Sequence, residues 1–165
     1  MDLEVNGNGT ARWNGRPLRC ATGRAGISAS KREGDGATPA GNFAMRFLLY
    51  RPDRGAAPRT GLPVRPIATD DGWCDAPADP AYNRLIQLPY PAGAEALWRA
   101  DALYDLVVPL GYNDLPVVPG LGSAIFLHLA TPDFAPTAGC VALARPDLIT
   151  VLAEADGAAR VVISP

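Results

Sequence analysis

The sequence holds one histidine, His128, and one lysine, Lys31. Its thiols are three: Cys20, Cys74 and Cys140. One imidazole and no pair of cysteines at C-x-x-C spacing argue against a zinc site, so no metal is expected. The glycine-rich stretch GDGATPAG (34–41) lacks the G-K-[ST] ending and following helix of a phosphate loop, and no cofactor is expected either. Charged residues make up only 19% of the chain and the net charge is −2, which leaves no electrostatic footprint for nucleic acid or an anionic membrane. No apolar run approaches the roughly 20 residues that span a bilayer. The opening stretch MDLEVNGNGTARW has neither the charged n-region nor the apolar h-region of an export signal. Cytoplasmic residence, a leader already removed, and another export route all remain open on that point.

Glycine and proline are abundant, 17 of each among 165 residues. Few helices survive that density of breakers, so short strands and loops are expected to dominate. The length suits a single domain over 1–165 with a proper core. TARWNGRPLRC reads as a β-hairpin around Asn14-Gly15, the dipeptide that favours a type I′ turn. A polar, glycine-rich loop over 26–43 opens on one short strand. The stretch NFAMRFLLY (42–50) alternates as a half-buried strand does. Residues 51–83 contain six prolines and read as a long loop. Further strands are expected in 84–90, 102–112 and 123–130, with a turn or two of helix at AGAEALWRA (92–100). ARPDLITVLAEAD (144–156) is the one clear helix: Pro146 suits its first turn, and Leu148, Val151, Leu152 and Ala155 share a face. ARVVISP closes as a strand. The order points to a mainly β sandwich or barrel with long loops and one late helix. Cys20 and Cys74 are candidates for a disulfide, set against three unpaired thiols.

The chemistry concentrates in FLHLATPDFAPTAGCVAL (126–143). His128 lies on a strand-like run whose alternation sends Ile125, Leu127 and Leu129 one way and Ala124, Phe126, His128 and Ala130 the other. Cys140 follows twelve residues later, directly behind Gly139. A glycine there lets the backbone bend sharply, so the Gly139 and Cys140 amides could aim at a developing oxyanion. A nearby imidazole is the usual device for making a thiol a nucleophile. A backbone carbonyl, or Asp105, Asp114 or Asp133, would orient the ring. A buried core cysteine and a satisfied core histidine explain the same residues without catalysis.

Two motifs carry a family resemblance. ATPAGNF (37–43) is similar to the T-P-x-G-x-F stretch of L,D-transpeptidase (YkuD-type) catalytic domains, and HLATPDFAPTAGCVAL to a shortened form of their histidine-to-G-C signature. The resemblance implies a YkuD-like β fold acting on peptidoglycan stem peptides, and a periplasmic location. Such domains cut a stem after meso-diaminopimelate with a cysteine and pass the acyl group to an amine. By position, Cys140 would be the nucleophile, His128 the general base, Gly139 an oxyanion donor, and the Leu129 carbonyl the group that orients the imidazole. The motif's own histidine is Ala138 here. The arginine that commonly follows the cysteine by two is Ala142, with Arg145 nearby. The T-x-G-C turn, Thr137 to Cys140, resembles a divergent group of short proteobacterial members linked to crosslinks between L-Ala at stem position 1 and diaminopimelate at position 3. For the amine and carboxylate of a diaminopimelate side chain, WCDAPADPAYNR (73–84) offers Asp75, Asp79 and Arg84, walled by Trp73 and Tyr82. Thr137 and Arg145 are further candidate contacts. Water in place of the amine would give a carboxypeptidase or endopeptidase, and loss of turnover a wall-binding relic.

Overall fold

The computed structural model describes residues 1–165 and is mainly β, with fifteen strands and one helix. In chain order the strands are β1 (Asp2–Asn6), β2 (Thr10–Trp13), β3 (Arg16–Ala21), β4 (Ile27–Ser28), β5 (Thr38–Pro39), β6 (Gly41–Ala44), β7 (Leu48–Tyr50) and β8 (Val64–Pro66). They continue with β9 (Asp71–Cys74), β10 (Leu85–Gln87), β11 (Ala94–Ala96), β12 (Leu106–Pro109), β13 (Phe126–Leu129) and β14 (Val141–Leu143). Helix α1 (Arg145–Glu154) precedes β15 (Arg160–Ser164). Ten strands form one sheet in the order β6-β15-β1-β2-β3-β14-β13-β12-β7-β8, β9 is the centre of a three-stranded sheet between β10 and β11, and β4 pairs with β5.

Local chemistry sets several of these elements. Asn14 and Gly15 both take positive φ (49° and 79°), as a type I′ turn requires, and β2 and β3 pair across them. Helix α1 carries Pro146 in its first turn, where a missing N–H costs no hydrogen bond. It buries Leu148, Val151 and Leu152 against the large sheet. The Trp13 indole donates to Glu154 Oε2 at 2.7 Å, tying the helix end to the hairpin.

Alternation along the central strands divides the interior in two. Leu127 and Leu129 of β13, with Leu106 and Val108 of β12, belong to the large core beneath α1. Phe126 and Val107 point the other way, into a smaller core shared with Trp73 of the three-stranded sheet and Leu97 just past β11. His128 shares the Phe126 side, as the sequence alternation predicts.

Other expectations are corrected. The 42–50 run is two strands: β6 pairs with β15 at one end of the large sheet, and β7 with β12 near the other. Met45 bridges them, its N–H on Ala159 O (3.0 Å) and its ladder partner Leu110, so this segment curls the sheet towards closure. The proline-rich 51–83 stretch is not only loop, because β8 and the wholly buried β9 lie in it. AGAEALWRA contains β11 rather than helix: a nine-residue stretch is too short to hold a helix unaided, and the open edge of β9 offers its backbone a ladder. The N-terminal strand β1, between β15 and β2, has no counterpart in the sequence reading. Cys20, Cys74 and Cys140 are all unpaired and buried, so the Cys20–Cys74 bridge is absent: Cys20 sits in the large core and Cys74 on the inner strand of the small sheet.

Candidate active site

The β13–β14 ladder is parallel, with Leu127 beside Val141 and His128 beside Ala142. That register brings Cys140, one residue before β14, alongside Phe126 and onto the same face as His128. The two are diagonal neighbours on that face. Both line one cavity of about 600 Å³, within the range of small-molecule sites.

The imidazole is 5% exposed, packed edge-on against the Tyr104 ring at 5.4 Å. Its Nδ1 meets the Leu129 carbonyl at 2.8 Å. A carbonyl only accepts, so Nδ1 carries the proton and Nε2 keeps its lone pair, free of any protein partner and on the cavity side. Burial pushes the His128 pKa down to about 4. None of the three aspartates considered as orienting partners reaches the ring. Asp105 binds Arg54 and Arg145, Asp114 binds Arg46, and Asp133 accepts from Thr131.

Cys140 is a buried residue, 8% exposed. Its sulfur donates to Ala124 O at 3.2 Å and accepts from Phe126 N–H at 3.3 Å. No hydrogen bond joins it to the imidazole. Burial pushes the thiol up to about 12, opposed in part by the Phe126 N–H and the Lys31 cation. At neutral pH the pair therefore rests as neutral thiol and neutral imidazole.

The turn carrying Cys140 is held by Thr137, whose hydroxyl donates to the Cys140 carbonyl at 2.7 Å and accepts the Gly139 N–H at 3.1 Å. The Gly139 amide, expected to face an oxyanion, is bound to Thr137, while the Ala138 and Cys140 N–H groups have no partner. Gly139 has φ 144°, and a Cβ there would stand 2.9 Å from Ala37 O. Gly139→Ala is expected to displace the turn, slowing acyl transfer about 10²-fold while costing roughly 1–3 kcal/mol of stability. Single-turnover thioester formation and urea denaturation check the two effects separately.

The site is braced by a residue the sequence reading missed. Asn83 is buried, and its Oδ1 accepts from the Trp73 indole (2.9 Å) and the Ala124 N–H (3.1 Å). Ala124 is thereby kept at φ 53°, the conformation that turns its carbonyl to the thiol. No sequence signal marks Asn83 beyond its place in a polar loop.

The candidate substrate contacts divide. Thr137 and Asp75 line the cavity. Trp73, Tyr82, Arg84 and Arg145 do not, because each is occupied elsewhere. Trp73 packs on Phe126 beneath the site, the Tyr82 hydroxyl holds the Gly122 N–H, Arg84 donates to Asp114 O, and Arg145 pairs with Asp105. Asp79 accepts from Tyr90 and also stands outside. In their place the cavity presents Lys31, Glu33, Glu95 and Arg99. Glu95 accepts from the Tyr104 hydroxyl, and burial raises its pKa.

The family model of the L,D-transpeptidase catalytic domain, YkuD, matches residues 3–163. Among curated proteins none matches the sequence. Among solved structures, the helical cell shape determining protein Pgp2 from Campylobacter jejuni is similar at 15% identity, with a TM-score of 0.48, over 99% of this chain and 46% of its own. A mutant of the same protein gives 15%, 0.44, 99% and 46%. The chain thus spans less than half the length of these structures.

Proposed function

Since this chain belongs to the YkuD family of L,D-transpeptidase catalytic domains, we propose that it is a peptidoglycan L,D-transpeptidase acting in the periplasm, with Cys140 as nucleophile and His128 as general base. The observation that carries the proposal is the convergence of thiol and lone-pair imidazole on one cavity. The cavity's mixture of carboxylates and cations suits meso-diaminopimelate, whose side chain bears both an amine and a carboxylate.

The reaction begins from neutral partners. The thiol proton leaves its contact with Ala124 O and passes to His128 Nε2 as the sulfur attacks the diaminopimelate carbonyl. The Leu129 carbonyl supports the imidazolium that results. The oxyanion lies against the Cys140 N–H. Collapse breaks the peptide C–N bond, the leaving amine takes the proton back from the imidazolium, and a thioester remains on Cys140. An acceptor amine then attacks the thioester, gives its proton to Nε2, and the departing sulfur recovers it. The amine of a stem's first residue, L-Ala, is the acceptor that the Thr137–Cys140 turn favours, giving a 1–3 crosslink.

Purified tetrapeptide muropeptides as acyl donors, mixed with sugar-free stem peptides whose L-Ala amine is free and followed by mass spectrometry, test the function. The expected products join that free L-Ala amine to the diaminopimelate of the donor. Tripeptides alone would make water the acceptor and the protein a carboxypeptidase, and unchanged muropeptides would overturn the reading.

A further inference from the structure

Lys31, the only lysine of the chain, is 6% exposed and lines the same cavity. A buried ammonium is costly unless it is paired. Asp35 Oδ1 lies 2.6 Å from its Nζ and Arg32 O lies 3.1 Å away, which occupies two of its three N–H donors. Asp35 is itself fixed by the Arg32 and Ala37 amides at 2.8 and 2.9 Å. The neighbouring Glu33 does not take the third donor, being bound to the Ser123 hydroxyl. Two glycines make room for this side chain. A Cβ on Gly122 would stand 3.1 Å from Lys31 Cε, and one on Gly139 would stand 3.6 Å from Nζ. The ammonium thus lies beside the turn that carries the nucleophile, with Ala37 O and Ile125 Cδ1 next to the same point at 2.9 and 3.4 Å.

In that turn the Gly139 N–H is bound to Thr137, and the donors left for an oxyanion are two neutral amides, the Ala138 and Cys140 N–H groups. Resting on the function proposed above, we propose that the Lys31 ammonium is the charged oxyanion donor, its free N–H meeting the oxygen that the Cys140 N–H also binds. The cation is pre-oriented by Asp35 and needs no rearrangement as charge develops, the condition under which such donors contribute most. A mere clip for the 31–37 loop would not act on one reaction of Cys140 and spare another.

Acylation by a carbapenem builds an oxyanion, and alkylation by iodoacetamide does not. In Lys31→Met, carbapenem acylation of Cys140, read by intact mass, is expected to slow roughly 10²–10³-fold, while alkylation, which loses only the cation's partial support of the thiolate, slows far less. Acylation at the wild-type rate, or equal losses in both reactions, overturns the proposal. No carbapenem adduct even on the wild type overturns the reading of Cys140 itself, a different result. A second measurement needs no variant. Selective ¹⁵N-lysine labelling gives a single Nζ signal, which is expected to move when a peptide aldehyde forms a hemithioacetal at Cys140. An adduct that leaves the signal in place contradicts the assignment.

Discussion

Replacing Cys140 by alanine is expected to abolish thioester formation and crosslinking, a loss of at least roughly 10⁴-fold, because the covalent route has no other nucleophile. Cys20 cannot substitute, since it is buried in the large core on β3, and Cys74 lies on β9 outside the cavity. Alanine at 140 removes a sulfur held only by Ala124 O and the Phe126 N–H, so the stability cost is about 1 kcal/mol and the fold persists. Cys20→Ala and Cys74→Ala are expected to keep activity. Muropeptide turnover alongside urea denaturation of the three variants separates loss of chemistry from loss of fold. Equal turnover by Cys140→Ala and the wild type would end the proposal.

His128→Ala is expected to slow acylation by roughly 10²–10⁴-fold, the usual contribution of a positioned base. The pH dependence carries more information than the size of the loss. Burial holds the imidazole neutral down to about pH 4, so acylation should stay level as pH falls from 7 to near 5 and decline only beyond that. An exposed histidine would lose its base form near 6.5. On the alkaline side the buried thiol shows no low-pKa plateau, and alkylation of Cys140 is expected to keep rising with pH. The same group affects stability. Between pH 6.5 and about 4 the unfolded chain binds a proton on His128 that the folded chain refuses, so stability falls as pH drops through this window. The total loss across the window amounts to about 3 kcal/mol at most. Glu95, whose pKa burial raises, works in the opposite direction. Urea midpoints at pH 7 and 4.5 should differ more in the wild type than in His128→Ala.

The legible parts of the fold are those fixed by local chemistry. Asn14-Gly15 sets a hairpin wherever it falls between strands, and strict alternation from 123 to 130 sends His128 away from Leu127 and Leu129 whatever the tertiary context. Strand β1 was hidden because its parallel partner β15 lies at the far end of the chain. The 92–100 stretch reads as helix because Ala, Glu and Leu favour helices, and only the edge of β9 overrides them to form β11. At the site, alternation places His128 on the Phe126 side of its strand, but the register that sets Cys140 beside Phe126 comes from the β13–β14 pairing, which no local pattern encodes. Spacing does not reveal where a hydrogen bond is already committed. The Gly139 amide is taken by Thr137, and Trp73, Tyr82 and Arg84 are taken by Asn83, Gly122 and Asp114. Lys31 and Glu95 reach the cavity from segments read as loop and helix, with no motif to mark them.

The most direct test of the central claim is to quench the wild-type protein in acid during turnover of a tetrapeptide muropeptide and map the adduct by tandem mass spectrometry. The account predicts a stem acyl group, joined through its diaminopimelate carbonyl, on the peptide containing Cys140 and on no other. An adduct on Cys20 or Cys74, or crosslinked product with no protein-bound intermediate under any quench time, would contradict it.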